Sequence, residues 1–222
     1  MSEVSNYEVT KKNTAKLFLE RDQEEIIRRC GLTADDASIF VMFFGRRYRV
    51  DRRTGVIFRD WKEKTKQKHE CMPYSAGGLD SARQEEADFE EAMTIYDYLC
   101  DSRPGCHPSG DFVTSQSLQR VVTSRIGEGM FTEYSAFFEQ NEALVRVNCE
   151  QIGGISAGKG DISYDFSMFG ELKLRISFWR SDEDFPASLQ VFWDQNVLDY
   201  IRFETTYYAV FCVLRRICGR EV

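Results

Sequence analysis

The chain has 222 residues, of which 42% are hydrophobic and 14% aromatic, and its formal net charge is -7. This length and apolar content suit one domain with a sizeable core, and the low content of Pro and Gly excludes a disordered or low-complexity chain. Because no run of about 18 apolar residues is present, the sequence predicts a soluble, cytoplasmic protein without a membrane span.

The N-terminal quarter is predicted to form a helix followed by a small antiparallel meander. Helix-favouring residues from 7 to 30 predict one helix that ends near Gly31. Residues 33–36 suit a turn, and the β-branched and aromatic run 38–44 suits a buried strand. Apolar residues on both sides of the turn 52–55 predict a hairpin.

A strongly basic stretch follows. Residues 46–68 contain ten Lys or Arg against three Asp or Glu, in a chain whose total charge is negative. The part from 61 to 82 reads as an exposed basic linker, which we expect to be solvated and to contact the acidic run 80–91. Contact with a polyanion is the alternative, although no nucleic-acid motif accompanies the charge.

Helical spacing dominates the middle of the chain. Apolar residues from Phe89 to Cys100 predict a helix with Glu85, Glu86 and Asp88 in its first turns, and this helix should end before Pro104. Residues 115–142 predict two helices. A short helix over 143–152 should be stopped by two glycines.

The last third alternates as strands do. Residues 162–166, 172–178 and 189–193 each place apolar side chains on one face, which predicts a three-stranded meander. Asn196 is predicted to cap a short helix, and a final helix should begin near Glu204. The fold class is therefore α+β, with an antiparallel sheet built from two meanders and packed against several helices.

We expect this to be a single α+β domain over residues 1–222. Its parts are an N-terminal helix and meander (1–60), the exposed basic linker (61–82) and a main region (83–222).

Several segments between 91 and 217 resemble an uncharacterised family, domain of unknown function 3786. The most specific is 178–190, which reads FWRSDEDFPASLQ, followed by 192–194 and 203–207. The segment 43–50 is also similar, so the resemblance extends over most of the chain.

The resemblance implies an origin in anaerobic bacteria or archaea. Because some members carry an iron–sulfur module of the type seen in corrinoid proteins, it also implies an accessory role near corrinoid or one-carbon metabolism. This chain lacks the clustered cysteines of that module. At 113–118 it also departs from the charged motif of its relatives.

The density of aromatic and charged residues around one hairpin predicts a ligand or partner surface there. Its candidate residues are Trp179, Arg180, Asp182, Asp184, Phe185, Trp193, Asp194 and Arg202. Carboxylates of this set, with Glu183, could alternatively surround a hard divalent cation. Ordinary turn and helix-cap roles for the same aspartates compete with that interpretation.

A soft-metal site is a second alternative. It would use His69, Cys71, Cys100, Cys106 and His107. No pair of the seven cysteines stands at C-x-x-C spacing, so the fold would have to assemble such a site. A Cys106 nucleophile beside His107 is a further alternative, but it needs a thiol with a lowered pKa.

These patterns predict a binding or accessory protein, with a metal-dependent enzyme as the alternative. They name no cofactor. We expect a protein or small-molecule partner, no contact with membrane or nucleic acid, and a surface compatible with a homo-oligomer.

Overall fold

The structure is a computed structural model that describes residues 5–60, 85–118 and 130–220. Its first half contains two helices and one antiparallel sheet, in the strand order β1-β2-β3-β4-β5. The elements are α1 (Asn6–Leu19), α2 (Gln23–Cys30), β1 (Thr33–Ala34), β2 (Ser38–Phe43), β3 (Arg46–Asp51), β4 (Ile57–Arg59) and β5 (Glu85–Glu86).

The second half adds helices and a second antiparallel sheet, in the order β6-β10-β9-β8-β7. Its helices are α3 (Phe89–Asp101), α4 (Ser115–Leu118), α5 (Thr132–Gln140), α6 (Glu142–Gln151), a 3₁₀ helix (Val197–Asp199) and α7 (Phe203–Ile217). Its strands are β6 (Phe112–Thr114), β7 (Ile155–Ser156), β8 (Ile162–Phe169), β9 (Leu172–Trp179) and β10 (Ser188–Asp194). The predicted α+β class with antiparallel sheets is confirmed.

One apolar cluster runs through both sheets. Helix α3 packs against α1 and α7, and β2 of the first sheet contacts β8 of the second. At this contact the ring of Phe169 stacks on Tyr98 at 4.0 Å and lies 5.1 Å from Phe43. These aromatic contacts join the two sheets into a continuous core.

The predicted N-terminal helix is interrupted, which is a correction. Asp22 accepts hydrogen bonds from the backbone N–H groups of Glu24 and Glu25 at 3.0 and 3.1 Å. It is therefore the N-cap of α2, and a cap starts a new helix rather than continuing the old one. The end at Gly31 is confirmed, since this residue closes α2 with φ +61°.

Three further boundaries differ from the prediction. Thr33 and Ala34, expected in a turn, pair with β2, and Glu85 and Glu86, expected in a helix, pair with β4. Asn196 makes no side-chain cap; its amide donates to the carbonyl of His107 at 3.0 Å instead. Glu85, Glu86 and Asn196 have partners distant in the chain, whereas Thr33 and Ala34 pair with a strand that begins four residues later.

The predicted linker 61–82 lies outside the described residues, as do 119–129, the middle of the region expected to hold two helices. Among the described residues, no helix is both long and apolar enough to cross a bilayer.

Candidate functional site

The turn between β9 and β10 borders an open cleft of about 730 Å³. It brings together four of the residues predicted from sequence: Trp179, Arg180, Asp182 and Phe185. The full lining is Asp161, Trp179, Arg180, Ser181, Asp182, Phe185, Pro186, Ser188 and Gln190. We call this feature the β9–β10 cleft.

The turn is held by one aspartate. Asp182 Oδ1 accepts hydrogen bonds from the backbone N–H groups of Asp184 and Phe185 at 2.9 and 2.8 Å. The N–H of Asp182 donates to the carbonyl of Phe185 at 3.0 Å. Such local bonds are the reason why aspartate favours turns. They hold the backbone at Phe185, whose side chain is 70% exposed.

Arg180 fixes the turn to the neighbouring elements. Its Nη2 donates to Glu142 at 2.6 Å and its Nη1 to Asp161 at 3.2 Å. Gly160, next to Asp161, permits the chain to pass close to β9, because at its φ of +123° a Cβ atom would lie 2.7 Å from the carbonyl oxygen of Phe178. Hydrogen bonding from Arg180 holds the pKa of Glu142 below its ordinary value.

The neighbouring Ser181 makes a second attachment, to helix α5. Its N–H and its hydroxyl both donate to Glu139 Oε1, at 2.9 and 2.6 Å. These bonds lower the pKa of Glu139. The base of the turn is therefore fixed to α5 and α6, while the ring of Phe185 faces solvent.

The four other predicted residues do not line the cleft. Trp193 is buried in the core, and its indole N–H donates to the hydroxyl of Ser115 at 3.1 Å. Arg202 lies against α3, where its Nε donates to Asp97 at 2.7 Å and approaches Asp101 at 3.3 Å. Asp184 belongs to the turn but does not line the cleft.

Asp194 holds the loop that precedes β6. Its carboxylate accepts the backbone N–H groups of Ser109, Gly110 and Asn196 at 3.0, 2.8 and 2.9 Å, and also the Ser109 hydroxyl. Burial alone would raise the pKa of Asp194, but these hydrogen bonds outweigh it and hold the pKa below its ordinary value. The side chain stabilises the loop in its charged form.

Replacing Asp194 with asparagine is expected to lower the free energy of unfolding by about 1.5–3 kcal/mol at pH 7, because an amide cannot accept all four bonds. Since the folded pKa is depressed, the contribution is complete above the unfolded pKa of about 3.9 and is lost as pH falls through the folded value. Urea unfolding at pH 7 and in acid measures both effects.

The control for this experiment is Asp184→Asn, on the exposed turn, where a change within about 0.5 kcal/mol is expected. A stability difference between Asp194→Asn and wild type that persists unchanged at acid pH would contradict the assigned role of the charge.

The soft-metal set is only partly described. His69 and Cys71 lie outside the described residues, and His107 is an exposed loop residue. Burial raises the pKa of Cys100 to about 11 and also raises that of Cys106. Both thiols are therefore protonated at neutral pH, the opposite of what an activated nucleophile requires.

The described residues provide no arrangement of ligands for either of the two metal sites suggested by the sequence. Within residues 5–60, 85–118 and 130–220, no group of three or more His, Cys, Asp or Glu side chains is placed to hold a metal ion. The carboxylate set is divided, because Asp182 and Asp184 belong to the turn whereas Asp194 binds the loop before β6.

Sequence reasoning missed five residues of the cleft. Ser188 could have been found, because it pairs with Trp179 across the strands and so shares its face, and Gln190 follows two residues later on the same face. Ser181 and Pro186 lie in the turn itself, next to residues that were predicted, so they could have been found by including every residue of the turn. Asp161 had no local signal, since a backbone bond to Phe178 brings it there.

The chain matches a family model of known proteins. A family model described as "Domain of unknown function (DUF3786)" matches residues 66–216, which is the family that the sequence motifs resembled. No curated protein and no solved structure matches the chain.

Proposed function

The chain belongs to the family described as Domain of unknown function (DUF3786). We propose that it is a binding or accessory protein that recognises a partner protein through the β9–β10 cleft. The observation that carries the proposal is the convergence of Trp179, Arg180, Asp182 and Phe185 on one cleft. The half-buried indole of Trp179 and the exposed ring of Phe185 supply an apolar surface in that cleft. Aromatic side chains of this kind dominate the energetics of protein interfaces.

The charge around the cleft indicates what the partner carries. The exposed carboxylates are Asp161, Asp182, Glu183 and Asp184. Arg180 is already paired with Glu142 and Asp161, so it adds little positive potential. Because complementary potentials favour association, the partner segment should combine Lys or Arg with a large apolar side chain.

Peptide selection tests the proposal without a known partner. Randomised peptides displayed on phage are selected against the protein, and enriched sequences should pair basic residues with an aromatic or large aliphatic one. Phe185→Ala should then weaken binding of a selected peptide by about 2 kcal/mol, roughly thirtyfold, as measured by calorimetry.

Ile155→Ala is the matched control, because Ile155 is 65% exposed but lies on β7 outside the cleft. It should leave peptide affinity unchanged. Selection of acidic peptides, no enrichment at all, or equal binding to Phe185→Ala and wild type would each count against the proposal.

The remaining functional expectations stay predictions. They are a setting near corrinoid or one-carbon metabolism in an anaerobe, and a homo-oligomeric state. A cytoplasmic location also stays a prediction; it is supported by six cysteines in the described residues that are all free thiols, as in a reducing compartment. The alternative of a metal-dependent enzyme is tested by elemental analysis of protein purified without chelator, where a stoichiometric metal would favour it.

A further inference from the structure

A second cavity, of about 220 Å³, lies where α2, α3, the β8–β9 turn and the 3₁₀ helix meet. Since a water molecule occupies about 30 Å³ of liquid, it has room for about seven waters or one small organic molecule. Six of its lining residues bear on the argument: Arg29, Cys30, Tyr98, Cys106, Phe169 and Tyr200. None of the residues lining this Arg29 cavity lines the β9–β10 cleft.

Arg29 brings a positive charge to the cavity, and its side chain is 13% exposed. Its Nη1 donates to Glu25 at 2.9 Å and its Nη2 to the carbonyl of Leu99 at 2.6 Å. Within the described residues, Nε of Arg29 is the buried side-chain polar atom that has no hydrogen-bond partner. A buried donor without an acceptor is costly, so an oxygen atom of a ligand that reached this edge of the guanidinium would be favoured.

The wall beside this charge is aromatic. The ring of Tyr98 stacks on Phe169 at 4.0 Å with an interplanar angle of 6°, and it lies 6.5 Å from Tyr200. The hydroxyl of Tyr98 is already engaged, since it donates to the carbonyl of Cys30 at 3.2 Å. Such a wall favours a planar apolar body.

Glu25 pairs with Arg29, but its side chain is 37% exposed against 13% for Arg29, so the carboxylate is screened more strongly and the guanidinium is the more buried charge of the pair. Burial raises the pKa of Tyr98, Tyr200 and Cys106, so these groups are neutral at pH 7. Glu171 also lines the cavity, but it is solvent-exposed. Its charge is therefore screened more strongly than that of a buried group.

We propose that the Arg29 cavity binds a small planar organic anion, whose carboxylate or sulfonate accepts from Arg29 while its body contacts the Tyr98 and Phe169 rings. The site lies apart from the cleft of the proposed function, so the two can fail independently.

Benzoate is the probe, and benzyl alcohol of similar size is its neutral counterpart. Benzoate should raise the melting temperature in proportion to its occupancy. It should bind at least tenfold more tightly than benzyl alcohol, because a hydrogen bond to a charged group is worth more than one to a neutral group.

Arg29→Met should lose this preference, since it keeps an apolar stem but removes the donor. Arg28→Met is the matched control, at the adjacent exposed arginine of α2. Circular dichroism establishes that both variants are folded. If Arg29→Met does not fold, Cys106→Phe serves instead, because it fills the cavity from a loop and should abolish benzoate binding.

Alkylation by iodoacetamide gives a second readout. Bound benzoate should slow modification of Cys106, which lines the cavity, and leave Cys100, which does not, unaffected. No binding of benzoate or benzenesulfonate at millimolar concentration, equal binding of benzyl alcohol, or full affinity in Arg29→Met would overturn the proposal.

Discussion

Replacing Glu91 with alanine is expected to lower the free energy of unfolding by about 3–5 kcal/mol, the largest loss we predict. Glu91 is 3% exposed and accepts hydrogen bonds from the Tyr48 hydroxyl at 2.6 Å and from Arg59 Nε at 2.8 Å. It also accepts the N–H of Asp88 at 3.1 Å, completing a capping box at the start of α3. Arg59 is only 9% exposed, and the removal of Glu91 deprives it of the most buried of its acidic partners.

The same carboxylate joins β3, β4 and α3, so its loss affects the contact between the first sheet and the helix. Urea unfolding at pH 7, followed by circular dichroism, measures the loss. Glu85→Ala is the matched control, because Glu85 pairs with the same Arg59 at 2.8 Å but its side chain is 39% exposed. That variant should lose at most about 1 kcal/mol. Equal losses in both variants would contradict the role assigned to burial.

Replacing Arg202 with alanine is expected to cost about 3 kcal/mol, because it leaves the carboxylate of Asp97 buried without its cation. The side chain of Asp97 is only 1% exposed. It accepts from Arg202 Nε at 2.7 Å, and from the backbone N–H of Arg202 at 3.0 Å where α7 begins. Only the side-chain bonds are lost in the variant.

Arg103→Ala is the control for this prediction. Arg103 also forms an ion pair, but the side chain of its partner Asp199 is 33% exposed rather than buried, so the loss should be at most about 1 kcal/mol. Unfolding of both variants in urea gives the comparison. The sequence suggested that Arg202 anchors a ligand. That role would be favoured if Arg202→Ala were as stable as wild type but no longer bound a selected peptide.

The strands of the second sheet were predictable because their sequence alternates. Residues 172–178 place apolar side chains at every second position, and this pattern alone gives both a strand and its buried face. Asp22 shows where such reasoning fails. Helix-favouring composition continues across it, and only its bonds to two backbone N–H groups reveal that a new helix begins there.

The start of α3 shows a second limit. Acidic residues favour the first turn of a helix through the helix dipole, and this predicted Glu85, Glu86 and Asp88 inside α3. Asp88 is instead the cap, and the two glutamates pair with β4 at the edge of the first sheet. The dipole preference is weak, and a free strand edge offers full backbone hydrogen bonds in its place.

The candidate site divides in the same way. The turn 180–185 could be identified from its aromatic and acidic residues, because the bonds that Asp182 makes within it are local. Arg202 and Asp194 are charged residues like those of the turn, but their partners lie far away in the chain. Asp97 is 105 residues from Arg202, and Ser109 is 85 residues from Asp194. A local sequence pattern cannot identify a partner that is so distant in the chain.

By itself, the sequence determined the α+β class, the hairpins of both sheets and the turn that borders the cleft, since each depends on periodicity or on bonds between near neighbours. Only the tertiary structure decided which charged side chains became internal ion pairs, where Asp161 meets Arg180, and that Arg29 and Cys106 line one cavity. The physical reason is that burial and pairing depend on contacts between segments distant in the chain, and these contacts exist only once the sheets and helices have packed.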